Sequence, residues 1–230
     1  MIINGGTRKK EFIEALDNKT FGKLSYNLKA FVKTIFPKIR NKDILLCKKY
    51  NGMNANLILK VNDCVKYIAL KSGNTSVVFK DYIYNFMTKM SLLEVSNKTV
   101  ISIYKYHTGY VKNSDISSFG SLLKEDFKEE IEIVKTEFEK PILLSKLIDF
   151  VLINEKNGIC IDYFYYGNVD IGFTISAQEL KEKIINEKNN YPHDFMRLGP
   201  FNFLPVDRKI KASNNTLCQL RINNFYKYFK

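Results

Sequence analysis

The segment Leu57–Leu70, reading LILKVNDCVKYIAL, constrains the fold more than any other stretch. Leu57, Leu59 and Val61 alternate on one side of a first run, and residues 65–70 form a second run. Asn62-Asp63 stands between them, and turn residues between two alternating apolar runs predict a β-hairpin. A lone hairpin is marginal in water, so its apolar face must be completed by further strands or by helices. The chain is therefore committed to a sheet, and the remaining segments are read for what extends or covers it.

The spacing predicts a first helix over residues 7–16 with Thr7 as N-cap, and a second over 27–36 that stops before Pro37. Residues 44–47 read as a short strand. Over 79–90 the apolar residues Phe79, Ile83, Phe86, Met87 and Met90 fall at helical spacing. Residues 99–106, with Val100, Ile101 and Ile103, read as a strand. An acidic amphipathic helix is expected over 124–136, and a further helix from Pro141 to about residue 153. Residues 158–166 and 171–175 form a second hairpin around Gly167-Asn168. Ser176 and Glu179 make a capping box that opens a helix to about residue 189. Short strands are expected near 201–204 and 217–222. This order describes an α/β (α+β) chain with a central, partly antiparallel sheet flanked by helices. No boundary interrupts it, so residues 1–230 read as a single domain.

The 230 residues carry 36 Lys+Arg against 24 Asp+Glu, a net charge of +12. Residues 1–120 hold 20 Lys/Arg and 8 Asp/Glu, residues 121–190 hold 9 and 14, and residues 191–230 hold 7 and 2. Two basic ends that met in the fold would form one positive face, the footprint of a polyanion such as nucleic acid. A genome biased toward Lys, Asn, Ile and Tyr codons would produce the same charge without function. No apolar run approaches the length of a membrane span, and no secretory leader is visible. Four cysteines without a CxxC pair and two histidines leave no zinc cluster, and buried reduced thiols in a cytoplasmic protein are expected. No Gly-rich phosphate loop of the Walker type occurs.

Residues 54–73, NANLILKVNDCVKYIALKSG, place Asn56 at the start of one strand and Ala69 and Lys71 at the end of the next. Positions 69 and 71 point the same way because side chains alternate along a strand. Asn56 precedes Ala69 by thirteen positions and Lys71 by fifteen. This arrangement resembles the PD-(D/E)XK nucleases, in which an Asp opens one strand and an acidic or amide residue and a Lys follow on the next. VISIYKYHTGYV (100–111) resembles a strand and His-Thr-Gly turn of the small type II restriction endonucleases that cut four-base sites. LGPFNFLPVDRKIKASNNTLCQLRIN (198–223) resembles their C-terminal strands. The resemblance implies a restriction-endonuclease-like mixed sheet and a cytoplasmic enzyme, monomer or homodimer. It implies sequence-specific binding and Mg²⁺-dependent hydrolysis of double-stranded DNA, with a DNA methyltransferase in the host.

On that resemblance the catalytic positions are Asn56, which would also be the metal ligand, Ala69 and Lys71. The sequence departs from the family in having Asn56 for Asp and Ala69 for an acidic or amide residue. An amide brings no charge to Mg²⁺, which prefers carboxylate oxygens. Three explanations stay open: Asn56 is an engineered inactivating change, it is natural in a DNA binder that does not cut, or Glu11, Glu14, Asp43, Asp63 or Asp81 completes the site. Glu14 is the carboxylate taken forward. Ser72 and Asn74 flank Gly73, where backbone can approach phosphate. Arg8, Lys9, Lys10, Lys48, Lys49 and Lys80 are candidate phosphate contacts. Arg208, Lys209, Lys211, Gln219, Arg221 and Asn223 are candidates for reading DNA, since Arg pairs with guanine and Gln or Asn with adenine in the major groove. His107 reads as a structural or solvated turn residue. The rival functions are a non-catalytic DNA-binding or regulatory protein on a decayed nuclease fold, and an interaction module whose charge is compositional.

Overall fold

The computed structural model describes residues 5–73, 75–113, 126–155, 158–187, 195–206 and 216–230. The fold is mixed α/β, and the chain divides into two compact units. The first comprises Met1–Asn74, Leu152–Lys183 and Phe225–Lys230, and the second Thr75–Val151 and Ile184–Asn224.

The first unit is built on a five-stranded sheet. Its strands are β1 (Leu45–Lys49), β2 (Leu57–Val61), β3 (Cys64–Lys71), β5 (Tyr163–Gly167) and β6 (Gly172–Ser176), in the order β1-β2-β3-β5-β6. All neighbours are antiparallel except β3 and β5, which run parallel from Ile68↔Tyr163 to Lys71↔Tyr166. The expected hairpin is β2–β3, closed at Val61↔Cys64, and Asn62 takes a left-handed φ of 52° in its turn. Helix α1 (Gly5–Leu16) and helix α2 (Tyr26–Ile35) carry Phe12, Leu16, Phe31 and Val32 into one apolar core with Leu45, Leu57, Leu59, Ile68 and Tyr165. Phe12, Phe31 and Tyr165 meet edge to face at centroid distances of 4.8–6.0 Å. The buried Tyr165 hydroxyl donates to the Asn168 carbonyl at 2.5 Å and accepts from Asn27 at 2.8 Å. Thr7 lies within α1 and does not cap it. Ser25 caps α2 by accepting from Leu28 N.

The second unit has a four-stranded antiparallel sheet in the order β4-β9-β8-β7, with β4 (Thr75–Tyr82), β7 (Arg197–Leu198), β8 (Phe201–Val206) and β9 (Leu217–Asn223). Helices α3 (Ile83–Leu92), α4 (Asn97–Asn113), α5 (Lys128–Phe138) and α6 (Pro141–Ile148) belong to it, and α6 continues into one π turn at Asp149–Ile153. Helix α7 (Ala177–Asn186), whose first seven residues belong to the first unit, opens at the expected capping residue, Ser176 Oγ accepting from Glu179 N at 3.1 Å.

Two expectations fail here. Residues 79–82 are strand, so Phe79 belongs to β4 and the helix starts only at Ile83. Residues 99–106 are helix, not strand, and no His-Thr-Gly turn exists at 107–109. Val100, Ile103, Tyr106 and His107 are buried while Ile101 is exposed, the three-to-four spacing of one helix face. β-Branched residues lent this stretch a strand signal that packing against β8, through Tyr106 and Phe203 rings 6.2 Å apart, overrides. The start of the acidic helix expected at 124 and the end of the one expected at 189 lie outside the described residues.

His107 is fully buried, its Nε2 2.5 Å from Thr216 Oγ1 and its Nδ1 without a partner among the described residues. Burial lowers its pKa from 6.5 to about 4. The unfolded chain therefore takes up a proton that the folded one refuses, and stability is lost as pH falls from about 6.5 toward 4. Urea unfolding should show a loss of about 2 kcal/mol between pH 7 and pH 4.5 from this group. His107→Gln should flatten that slope, and an unchanged slope would refute the assignment. The cysteines divide evenly: Cys47 and Cys218 are buried, with burial raising each pKa to about 12, whereas Cys64 and Cys160 are exposed, contrary to expectation.

Candidate functional site

The β2–β3 hairpin places Asn56, Ala69 and Lys71 at one end of the first unit's sheet, but it does not group their side chains. Asn56 N donates to Ile68 O at 2.8 Å, and its Oδ1 accepts from Leu70 N at 2.7 Å. Its amide thus fastens the start of β2 to the end of β3. Ala69 is fully buried. The Lys71 ammonium donates to Oδ1 of a different residue, Asn54, at 2.9 Å.

Asn54 is held by a carboxylate from a distant part of the chain. Glu155 is buried and takes three backbone donors at 2.6 Å each: Met53 N on Oε2, and Asn54 N and Ala55 N on Oε1. Glu155 itself is fixed because its N–H donates to Ile159 O at 2.8 Å beside the Asn154↔Cys160 bridge. Gly52 is required at the edge of this cradle, since a Cβ there would lie 2.5 Å from Glu155 Oε2. Charge-assisted bonds of this length are the strong kind, and they order residues 53–55.

The electrostatics follow from this packing. Burial pulls the Lys71 ammonium down from 10.5 to about 8; the Glu155 carboxylate opposes that shift, and Lys9 on α1 adds to it. Two cations, Lys9 and Lys71, are thus close enough to repel, and the Nε of Arg8, next to Lys9 in sequence, is buried without a partner among the described residues. An anion such as a phosphodiester would relieve this repulsion.

Glu155, not a carboxylate expected from sequence, is the acid that acts on Lys71. Glu14 is exposed and pairs with Lys10 at 3.6 Å, one turn away on α1. Asp43 accepts from Arg40 N at 2.9 Å, and its carboxyl lies below its usual range chiefly through that bond. Asp63 is exposed in the hairpin turn itself. Asp81, in the second unit, is 2.7 Å from Lys89. Nothing in the local sequence marks Asn54 or Glu155, and only the folded strands bring them to Lys71.

Mg²⁺ wants anionic oxygens. Among the described residues no group of three or more His, Cys, Asp or Glu is placed to hold a metal ion. Asn54 and Asn56 offer neutral oxygens, and both Glu155 oxygens are already engaged. The residues around Lys71 do not fit Mg²⁺ as the chain stands.

The remaining candidates distribute as follows. Ser72 is half-buried after Lys71, and Gly73 O accepts from the Tyr166 hydroxyl at 3.1 Å. In the second unit Lys80 is exposed on β4, paired in register with Gln219. Gln219, Arg221 and Asn223 share a face of β9. In the amide orientation that satisfies both groups, Gln219 Oε1 accepts from Arg221 Nε at 3.2 Å and Nη2 at 2.7 Å. On the neighbouring strand β8, Arg221 lies beside Asn202, whose buried Oδ1 has no partner among the described residues. Asn74, Arg208, Lys209 and Lys211 lie outside the described residues.

No helix among the described residues is long and apolar enough to cross a membrane. No family model matches the chain, and no curated protein matches it. Among solved structures, the chain is similar to the restriction endonuclease MspI in complex with its cognate DNA, at 9% identity and a TM-score of 0.46, over 85% of this chain and 77% of that one.

Proposed function

We propose that this protein is a type II restriction-endonuclease-like, double-stranded-DNA-binding protein whose cleavage centre is silent as written. The observation that carries the proposal is Lys71: a half-buried lysine at the end of a hairpin whose ammonium donates to an amide oxygen, with the Glu155 carboxylate near enough to act on its charge but not in direct ion-pair contact with it. Withdrawing a charge from water without a direct ion pair is costly, and such groups concentrate at functional sites. The +12 net charge supports a polyanionic partner, and the Arg221–Gln219 pair on β9 supports base reading by a pre-oriented guanidinium. The proposal treats the chain as a single nuclease domain with DNA as the shared partner of its basic segments.

The alternative, DNA binding without any cutting ancestry to recover, is favoured by one observation: the neutral donor set around Lys71. Asn56→Asp separates the two readings. The new carboxylate can keep one oxygen on Leu70 N, where Asn56 Oδ1 already sits, and present the other with a negative charge. Plasmid nicking that depends on Mg²⁺, is abolished by EDTA and appears only in the variant supports the silent endonuclease. DNA binding with no cleavage in either form, even with Mn²⁺, supports the non-catalytic reading. Absence of duplex binding in both forms defeats the two together.

A further inference from the structure

The register of the five-stranded sheet sets three chemically distinct residues in one row. Lys71 on β3 pairs with Tyr166 on β5, and Tyr166 pairs with Phe173 on β6. Directly paired residues project from the same face, and three adjacent strands span roughly 10 Å. The row therefore runs from a cation, through a phenol, to a phenyl ring.

Aromatic groups thicken the far end of the row. The 3₁₀ turn Phe225–Phe229 brings Tyr226 to 5.1 Å from the Tyr166 ring and 5.7 Å from the Phe173 ring, as centroid distances. Lys230 Nζ lies 4.7 Å from the Tyr226 centroid and supplies a second positive charge. Among the described residues the cluster is not closed over: β6 is an edge strand, Phe173 is 42% exposed and its neighbour Ile171 is 71% exposed. A core would bury these groups, and a patch serving only solubility would not line them up with Lys71.

We infer that this row is a seat for an unpaired nucleotide, with its phosphate at Lys71 and its base stacked on the Tyr166–Tyr226–Phe173 rings. The inference rests on the DNA-binding reading above and adds to it a site for single-stranded nucleic acid. Stacking platforms beside a cationic groove bind strands with little sequence preference, because every base has a π-face.

The test uses the full chain, a fluorescently labelled single-stranded oligothymidylate and a labelled duplex. The unaltered protein is expected to bind both. Phe173→Ala and Phe173→Leu should each weaken strand binding about tenfold while leaving duplex affinity unchanged. Phe173→Trp should restore strand binding. The Leu variant keeps apolar area but removes the π-face, so equal strand affinity in Phe173 and Phe173→Leu overturns the proposal. Duplex binding without strand binding overturns it too and leaves the DNA-binding reading standing. Binding of neither probe overturns both.

Discussion

Replacing Lys71 by Met is expected to stabilise the free protein while removing most of its affinity for duplex DNA. The ammonium's pKa falls from 10.5 to about 8 on folding, mainly through burial. At pH 7 a lowering of that size corresponds to about 3 kcal/mol of folding free energy lost to keeping the charge inside. The sign is fixed by linkage: the unfolded chain holds this proton more tightly, so the cost is present at neutral pH and shrinks as pH rises through 8 toward 10.5. Methionine keeps the length and apolar stem and removes the charge. Asn54 Oδ1 loses its lysine donor, which returns about 1 kcal/mol. The net expectation is about 2 kcal/mol of added stability in urea unfolding at pH 7.

The DNA side of the same substitution has the opposite sign. A desolvated charge-assisted contact to phosphate is worth about 2 kcal/mol, so affinity should drop roughly thirtyfold. The salt slope should shrink by about 0.9, the signature of one lost phosphate contact. In the unaltered protein, affinity should also fall between pH 7 and pH 9 as Lys71 gives up its proton, and this dependence should vanish in Lys71→Met. A variant that melts lower and binds DNA equally well would refute both halves. Stability gained with function lost is the behaviour expected of a group retained for its chemistry.

What the sequence made legible follows physical lines. The β2–β3 hairpin was readable because strict alternation meets at Asn62-Asp63, and Asn62 tolerates the left-handed φ that the turn requires. The capping residue Ser176, the helix stop at Pro37 and the existence of strands β8 and β9 are likewise local signals. Helix α4 was not readable, because its β-branched residues favour a strand locally and only burial against Phe203 selects the helix face. The site shows the same division. Lys71 stands at the end of its strand, and Asn56 lies beside that strand with its amide on the backbone of Leu70. The residue touching Lys71 is Asn54, in a loop whose course is dictated by Glu155, about a hundred positions further along. No local pattern marks such a carboxylate, since its partners are backbone groups that carry no sequence identity.

That carboxylate supplies the second large effect. Glu155→Ala should destabilise the protein by about 4 kcal/mol, because the three N–H groups of Met53, Asn54 and Ala55 lose their acceptor together. Glu155→Gln should cost less, about 2 kcal/mol. Its carbonyl can keep Asn54 N and Ala55 N, but its NH₂ must then face the Met53 N–H, donor against donor. Urea unfolding orders the three proteins, and amide exchange should quicken at residues 53–55 before the global transition. DNA binding should weaken in the Ala variant as well. Glu155 is the group that holds the Lys71 pKa up, so its removal drives the ammonium further below 8 and toward neutrality at physiological pH. The pH at which duplex affinity falls should therefore move to a lower value in Glu155→Ala and in Glu155→Gln. A Glu155→Ala protein within 0.5 kcal/mol of the parent, with its binding profile against pH unmoved, would show that the cradle neither orders the loop nor tunes the lysine.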